Sequence, residues 1–213
     1  MTENKVAIVI SSTRTPRVGD KVAQFVQAVL AEHDTSGNPT LSLVDVADYK
    51  LPVYDEPVLP TMVPAKAQFS HEHSKAWSAA MLEFSGYIFV TPEYNSGIPG
   101  STKNAIDYLY HEVQGKPALI VSYGIYGGLV ASDALKQTLE GMKLLVCSTR
   151  VALPFYGGAG PDLFAAAGNG VIGDDTLALW TTDKKESIIK GFEELKEKLL
   201  VTVSQPEVSG SVA

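Results

Sequence analysis

The chain has 213 residues, 45% of them hydrophobic, and a net charge of −7, which suits one soluble globular domain because domains usually contain ~100–200 residues. Acidic residues outnumber basic ones by 24 to 17, which argues against a nucleic-acid or anionic-membrane partner. Apolar runs such as VAIVI at 6–10 are far shorter than the ~18 residues that suggest a membrane span. The N-terminus also lacks the pattern of a secretory signal, so we expect a cytoplasmic protein with no membrane partner.

Short apolar runs alternate with helical stripes along the chain. Runs rich in β-branched residues predict strands buried on both faces. These runs lie at 5–11, 41–46, 86–91, 116–124 and 143–151. Apolar residues at helical spacing separate or follow them. These stripes span 18–29, 69–84, 102–113, 135–142 and 188–199.

Three other segments do not fit the alternation. The stretch 51–64 is rich in proline and too long for an ordinary turn, and 154–183 is rich in glycine, alanine and aspartate and is predicted to be irregular. The tail 204–213 is predicted to be disordered. The remainder, 1–203, is expected to be a single α/β domain in which a parallel sheet is covered by helices on both faces.

The single cysteine, Cys147, excludes an internal disulfide and fits a reducing compartment. It lies within the predicted strand 143–151. We therefore expect a buried, unreactive thiol.

The loop after the first predicted strand has the composition of an anion site. In an open parallel sheet, ligands bind beyond the C-terminal strand ends, and SSTRTPRVGDK at 11–21 follows such an end. Its arginines, Arg14 and Arg17, suit phosphate, and the helix expected to begin near Val18 and Gly19 offers free amides and a favourable dipole. The alternative is an ordinary helix start with solvated arginines. The loop lacks both the P-loop and the GxGxxG spacing.

The loops after the third and fourth predicted strands are rich in turn-forming residues. They read TPEYNSGIPGSTKN at 91–104 and SYGIYGGLVAS at 122–132. Glycines let a backbone approach a flat ligand closely, and Tyr94, Tyr123 and Tyr126 could supply aromatic surface. Turn geometry alone is the alternative explanation for the glycines. Neither loop carries a serine elbow, a cysteine nucleophile or a metal-ligand spacing, so we expect no catalytic side chain and no metal.

Three segments resemble the NAD(P)H-dependent FMN reductases, a flavodoxin-like family that includes quinone and azo-dye reductases. SSTRTPRVGDKVAQFV is similar to the family's GSxRxxSxxxxLA phosphate loop, and TPEYNSGIPGSTKNAIDYL to its TPEYNxSxPxxLKNAIDxL flavin-ring segment. SYGIYGGLVASDALKQTL is similar to its glycine-rich third loop. The similarity covers roughly 5–155. Ser11 replaces a usual glycine, Arg17 replaces a frequent serine, YGIYGG departs from the commoner glycine pattern, and 157–175 matches no family segment.

The resemblance implies a fold, a cofactor and a set of contacts. The fold is a three-layer α/β/α sandwich with a five-stranded parallel sheet of order 2-1-3-4-5. The cofactor is FMN, with NAD(P)H as co-substrate and a quinone, free flavin or azo compound as acceptor. The residues implied to contact FMN are Ser12, Arg14, Arg17, Val18 and Gly19 at the phosphate, Pro92, Glu93, Tyr94 and Asn95 at the ring, and Ser122, Tyr123, Gly124 and Gly127 on the third loop.

The resemblance also implies a homodimer or homotetramer. The segment 51–64, with Tyr54, either contributes to the interface between the copies or is a surface loop. Two other functions stay open. One is an electron carrier of flavodoxin type, against which the basic first loop without a TxTGxT pattern argues. The other is an FMN-binding regulatory module without turnover, which the altered YGIYGG loop keeps under consideration.

Overall fold

One parallel sheet forms the centre of the molecule in a computed structural model that describes residues 4–33, 39–63 and 68–203. The strands are β1 (Lys5–Ile10), β2 (Thr40–Asp45), β3 (Gly86–Pro92), β4 (Pro117–Gly124), β5 (Leu145–Val146) and β6 (Val151–Pro154). Their order is β2-β1-β3-β4-β5, and β6 also pairs with β4. The predicted order 2-1-3-4-5 and the flavodoxin-like fold are confirmed. The predicted tail 204–213 lies outside the described residues.

Helices cover both faces of the sheet because successive strand residues point to opposite sides. The helices are α1 (Gly19–Glu32), α2 (Glu72–Leu82), α3 (Gly100–Asp107), α4 (Leu129–Gly141), α5 (Pro161–Asn169), α6 (Asp174–Asp183) and α7 (Lys185–Val203). Val6, Ile8 and Ile10 pack in one core with α1, α6 and α7. Ala7 and Val9 pack in the other core with α2, α3 and α4. Within the described ranges, no helix is long and apolar enough to cross a membrane.

The structure divides the predicted strand 143–151 into two pieces. β5 pairs with the start of β4 and β6 with its end, while the chain leaves the strand between them. Here the Glu194 carboxylate of α7 accepts hydrogen bonds from the Ser148 amide (2.6 Å) and the Thr149 amide (2.9 Å). These two amides donate to a side chain distant in the sequence instead of continuing the hydrogen bonds of the sheet. The apolar run in the sequence does not predict this break in the strand. Cys147 at this break is fully buried, as predicted, and burial raises its pKa to about 12.

Replacing Glu194 with glutamine should destabilise the protein at neutral pH and much less in acid. Partial burial opposes ionisation, but hydrogen bonds from Thr149 and Ser148 outweigh it and lower the pKa of Glu194 below its usual value. A depressed folded-state pKa means that the carboxylate stabilises the fold above its unfolded-state pKa and loses this effect as the pH falls through the folded-state pKa.

We expect Glu194→Gln to lower the free energy of unfolding at pH 7 by about 1–3 kcal/mol. The difference from the wild type should shrink as the pH falls below about 4.3. Urea titrations at pH 7 and pH 3 measure both values. Glu140→Gln, which alters an exposed i,i+4 pair with Lys136, should cost about 0.5 kcal/mol or less. A difference that does not change with pH would contradict the assignment.

The segment 154–183, predicted to be irregular, contains α5 and α6. The Asp162 carboxylate ties them together by accepting hydrogen bonds from the Thr176 amide (2.8 Å) and hydroxyl (2.6 Å). Trp180 is fully buried, and its indole donates to the Pro154 carbonyl at 2.6 Å. Both helices are short and the contacts that fix them are long-range, so periodicity in the sequence does not show them.

The proline-rich segment is fixed on α3. Asn104 accepts a hydrogen bond from the Tyr54 amide (3.0 Å) and donates one to the Pro52 carbonyl (2.6 Å). The helix itself ends at Asp107, earlier than the predicted stripe 102–113. Val53, Leu59 and Met62 of this segment face outward, and Val53 is 87% exposed, whereas Val63 is buried.

Candidate functional site

A cleft lies at the C-terminal ends of β1, β3 and β4, where the strand order reverses. Its cavity volume is about 180 Å³, below the ~300–1,000 Å³ of sites that enclose a whole drug-sized ligand, so a larger ligand would extend beyond it into solvent. Predicted residues from all three loops line it, and these are Arg14, Arg17, Val18, Pro92, Glu93, Tyr94, Tyr123 and Gly124. The other predicted residues, Ser12, Gly19, Asn95, Ser122 and Gly127, shape the loops around it.

The first loop packs tightly behind the cleft. Ser12 is buried, and the Tyr123 hydroxyl approaches its Oγ at 3.4 Å. A Cβ at Gly19 would lie 2.2 Å from the same Oγ, so only glycine fits at the first residue of α1. No side chain caps this helix end, which leaves first-turn amides to an anion. Asp20 in the same turn disfavours an anion, and its carboxylate lies 3.7 Å from the Lys21 ammonium.

The two predicted phosphate arginines have different partners. Arg17 pairs with both carboxylate oxygens of Asp45 and donates to the Ser12 carbonyl. Burial opposes its charge, but the bond to Asp45 prevails and raises the pKa of Arg17. Arg14 donates to the Ala167 carbonyl at 2.7 Å, and among the described residues no carboxylate pairs with it. Arg14 therefore supplies the unbalanced positive charge of the cleft.

The second loop makes a tight turn at the tip of β3. The Tyr94 amide donates to the Gly97 carbonyl and the Gly97 amide to the Tyr94 carbonyl, at 3.0 and 3.1 Å. Asn95 and Ser96 have positive φ angles of 49° and 57°, as in the type I′ turn of hairpins. Within the described part of the chain, the amides of these two residues have no partner, whereas the Glu93 amide donates to the Tyr123 carbonyl.

Glu93 joins the second loop to the third. One oxygen of its carboxylate accepts hydrogen bonds from the Val130 and Ala131 amides, at 2.9 and 3.2 Å, in the first turn of α4. The resemblance implies a flavin contact for Glu93. In the structure, its side chain lines the cleft while it caps a helix. It thereby holds the two walls of the cleft together.

Replacing Glu93 with alanine should uncap α4 and loosen the cleft. Loss of a cap costs about 1 kcal/mol of unfolding free energy, and we expect flavin affinity to fall because the two walls are no longer held together. Thermal unfolding and flavin titration measure the two effects. Glu186→Ala is the control, since Glu186 lies in the first turn of α7 on an exposed face. Equal affinity for flavin in both variants would contradict the bridging role.

The third loop depends on glycine and on a buried hydroxyl. Ser122 is fully buried and its hydroxyl donates to the Gly127 carbonyl at 2.7 Å. Gly127 has a φ of +84°, and a Cβ there would lie 2.8 Å from the Ala152 Cβ. Tyr123 is 4% exposed, and burial raises its pKa. Its phenol therefore stays protonated at neutral pH and remains a hydrogen-bond donor.

The remaining wall of the cleft comes from Ile125 of the altered YGIYGG loop and from residues that were not predicted from the sequence. These residues are Phe155, Leu163, Ala166 and Ala167, the last three on α5. A signal for this helix exists in the sequence, because Pro161 occupies its first turn and Gly170 follows its last residue, as is typical of helix ends. The wall is apolar and suits the body of a ring.

The cleft has features that fit FMN. The uncapped α1 terminus and Arg14 suit a phosphate, and the turn at Asn95 offers two free amides beside apolar surface. The fold and the position of this cleft at the carboxyl edge of the sheet together define a flavodoxin-like α/β protein. The chain belongs to the NADPH-dependent FMN reductase family, whose model matches residues 4–158.

Relatives with similar sequences support this membership. An NAD(P)H-dependent FMN reductase of Nectria sp, ntnL, is 50% identical over 197 residues, which covers 92% of this chain and 96% of the relative. An NAD(P)H-dependent FMN reductase of Saccharomyces cerevisiae, LOT6, is 36% identical, and the alignment covers 67% of this chain and 76% of the relative. A quinone reductase of Escherichia coli is 30% identical, with coverage of 67% and 72%.

Solved structures show the same fold at lower identity. The NAD(P)H:(acceptor) oxidoreductase FerB from Paracoccus denitrificans aligns with a TM-score of 0.61 at 21% identity, over 90% of this chain and 98% of that one. Flavodoxin 1 from Bacillus cereus aligns with a TM-score of 0.51 at 13% identity, over 91% of this chain and 98% of the flavodoxin chain. Both are similar to this chain in fold alone.

Proposed function

We propose that the protein is an FMN-dependent oxidoreductase that uses NAD(P)H to reduce a small molecule such as a quinone, a free flavin or an azo compound. The observation that carries this proposal is the cleft, in which an anion-favouring end and an apolar slot lie at one edge of the sheet. Membership of the FMN reductase family supports it. FMN, when bound, would supply the redox chemistry by accepting hydride from NAD(P)H and passing two electrons to the acceptor.

The chain's own residues would bind and orient the cofactor. First-turn amides of α1 and the Arg14 guanidinium would hold the phosphate. The amides of Asn95 and Ser96 would face the polar edge of the ring, where aligned donors favour negative charge. Phe155 and Ile125 would exclude water from its apolar part.

NAD(P)H and the acceptor would occupy the open face of the cleft in turn, in a ping-pong sequence. Tyr126 follows Ile125 of the cleft wall along the third loop and is 79% exposed. We expect Tyr126 to contact both substrates, since an exposed aromatic ring can pack on a planar molecule.

We also propose that the protein is a cytoplasmic homodimer or homotetramer. Leu59 and Met62 of the proline-rich segment are 62% and 66% exposed, which is the kind of apolar surface that a second copy covers. Light scattering after gel filtration measures the mass directly.

The test of the proposed function is a spectrum followed by an anaerobic titration. The purified protein, after incubation with FMN, should be yellow and should bleach when NADPH or NADH is added. Each molecule of NAD(P)H oxidised should convert one quinone to its hydroquinone, which takes up two electrons and two protons. A yellow protein that bleaches without turnover would instead support an electron carrier. A protein that does not bind FMN would overturn the proposal.

A further inference from the structure

Helix α5 rests on the loop that carries Arg14. Gly170, at the end of this helix, has a φ of +66°, and a Cβ there would lie 2.8 Å from the Arg17 carbonyl oxygen and 3.4 Å from the Pro16 Cβ. The helix end and the loop are therefore in close contact, and glycine is needed for it. Ala166, one turn earlier, is 2% exposed and packs in the core beside α1.

The same helix end determines the position of the Arg14 side chain. Arg14 is exposed, yet its Nη1 donates to the Ala167 carbonyl at 2.7 Å, in the last turn of α5. Carbonyls of a last turn lack partners within the helix, and they carry the negative end of its dipole. The hydrogen bond to Ala167 thus holds the long, solvent-exposed side chain of Arg14 in one position at the margin of the cleft.

An arginine held in this way still has donors to offer. A guanidinium carries five N–H groups in a planar fork, and one bond to Ala167 leaves the others available. Arg17 is less suited to this role, because the Asp45 carboxylate balances its charge and, with the Ser12 carbonyl, takes up most of its donors. Pre-organisation of Arg14 lowers the entropy that would be lost when a phosphate binds.

We propose that helix α5 is a positioning element for the cofactor phosphate: by docking through Gly170 it holds Arg14 at the cleft and makes the site prefer a flavin that carries a phosphate over one that does not. The inference rests on the proposed function, because it takes FMN as the ligand. It adds an element that the family model, which ends at residue 158, does not include.

The first test compares two equal substitutions in α5 and its cap. Gly170→Asn places a Cβ against the Arg17 carbonyl, while asparagine tolerates the left-handed backbone better than most residues. Gly168→Asn is the matched control, since a Cβ there meets nothing within 4 Å. Dissociation constants for FMN and riboflavin are measured by flavin fluorescence with each apoprotein.

We expect Gly170→Asn to weaken FMN binding about tenfold, within the usual size of coupling between sites, and to weaken riboflavin binding much less, through the part of the apolar wall that α5 supplies. Gly168→Asn should change neither. In an Arg14→Ala background, Gly170→Asn should have no further effect on FMN, because the helix acts through that side chain. Equal losses for FMN and riboflavin, or no loss in a folded variant, would overturn the proposal.

A second test uses the wild-type protein and does not depend on a variant that folds. Coupling is reciprocal, so a ligand that α5 helps to bind must in turn stabilise the docked helix. Hydrogen exchange at the amides of α5 should slow with FMN and much less with riboflavin at equal saturation. Equal protection by both flavins would contradict the role of Arg14.

The outcomes also separate this inference from the proposed function. A wild-type protein that binds neither flavin overturns both. FMN binding that does not depend on α5 overturns the inference alone. A phosphate preference that depends on α5, without NAD(P)H oxidation, overturns the proposed function alone.

Discussion

Replacing Trp180 with alanine is expected to lower the free energy of unfolding by about 3–5 kcal/mol, the usual cost of truncating a buried aromatic side chain to alanine. Trp180 is fully buried between Phe25 and Phe155, with ring centroids 5.7 and 6.0 Å away. Its indole also donates to the Pro154 carbonyl at 2.6 Å, so truncation leaves a cavity and an unpaired acceptor. Most domains have only about 5–15 kcal/mol of stability.

Urea denaturation of the purified variant measures this change. Phe164→Ala is the control, because this aromatic residue belongs to the same part of the chain but is 66% exposed. It should change stability by about 0.5 kcal/mol or less. If both variants lost little stability, the buried Trp180 side chain would not be what fixes α6 and the neighbouring α5 to the rest of the fold.

Arg14→Ala is expected to weaken FMN binding by roughly ten- to hundredfold, or about 1.5–3 kcal/mol, since it removes a charge-assisted contact to the phosphate. Riboflavin, which has no phosphate, should bind the variant and the wild type alike. Arg14→Lys should give an intermediate affinity, because lysine keeps the charge but not the planar fork.

Flavin titration of the apoproteins gives these affinities. Lys136→Ala serves as the control, because it removes one positive charge from an exposed pair with Glu140 on α4. If Arg14→Ala purified with a full complement of FMN at unchanged affinity, the assignment of the phosphate to this end of the cleft would be wrong.

The local pattern of residues was sufficient to predict the strands of the sheet and the position of the cleft. β1, β3 and β4 are apolar runs whose residues are almost all buried, and their pattern depends only on the two-sided burial of a parallel sheet. The Lys103–Asp107 pair, 2.6 Å apart, likewise follows from helical spacing alone. Such features are set by residues that are neighbours in the chain.

Other features depend on partners distant in the sequence. Asp45, at the end of β2, takes up the guanidinium of Arg17, and Glu93 extends to the start of α4 instead of only facing a ligand. His71 and His73 both face Asp55, at 4.0 and 3.0 Å, although two residues at this spacing on one helix would point to different faces. They can do so because α2 begins at Glu72 and His71 lies outside it.

The buried thiol of Cys147 bears on how the protein would tolerate a quinone as the proposed acceptor. Quinones are electrophiles that arylate thiolates, and the thiolate rather than the thiol is the reactive form. Burial raises the pKa of Cys147 to about 12, so the group stays a thiol at neutral pH, and the side chain has no exposed surface. As this is the only cysteine of the chain, repeated encounters with quinone should leave the protein without thiol adducts.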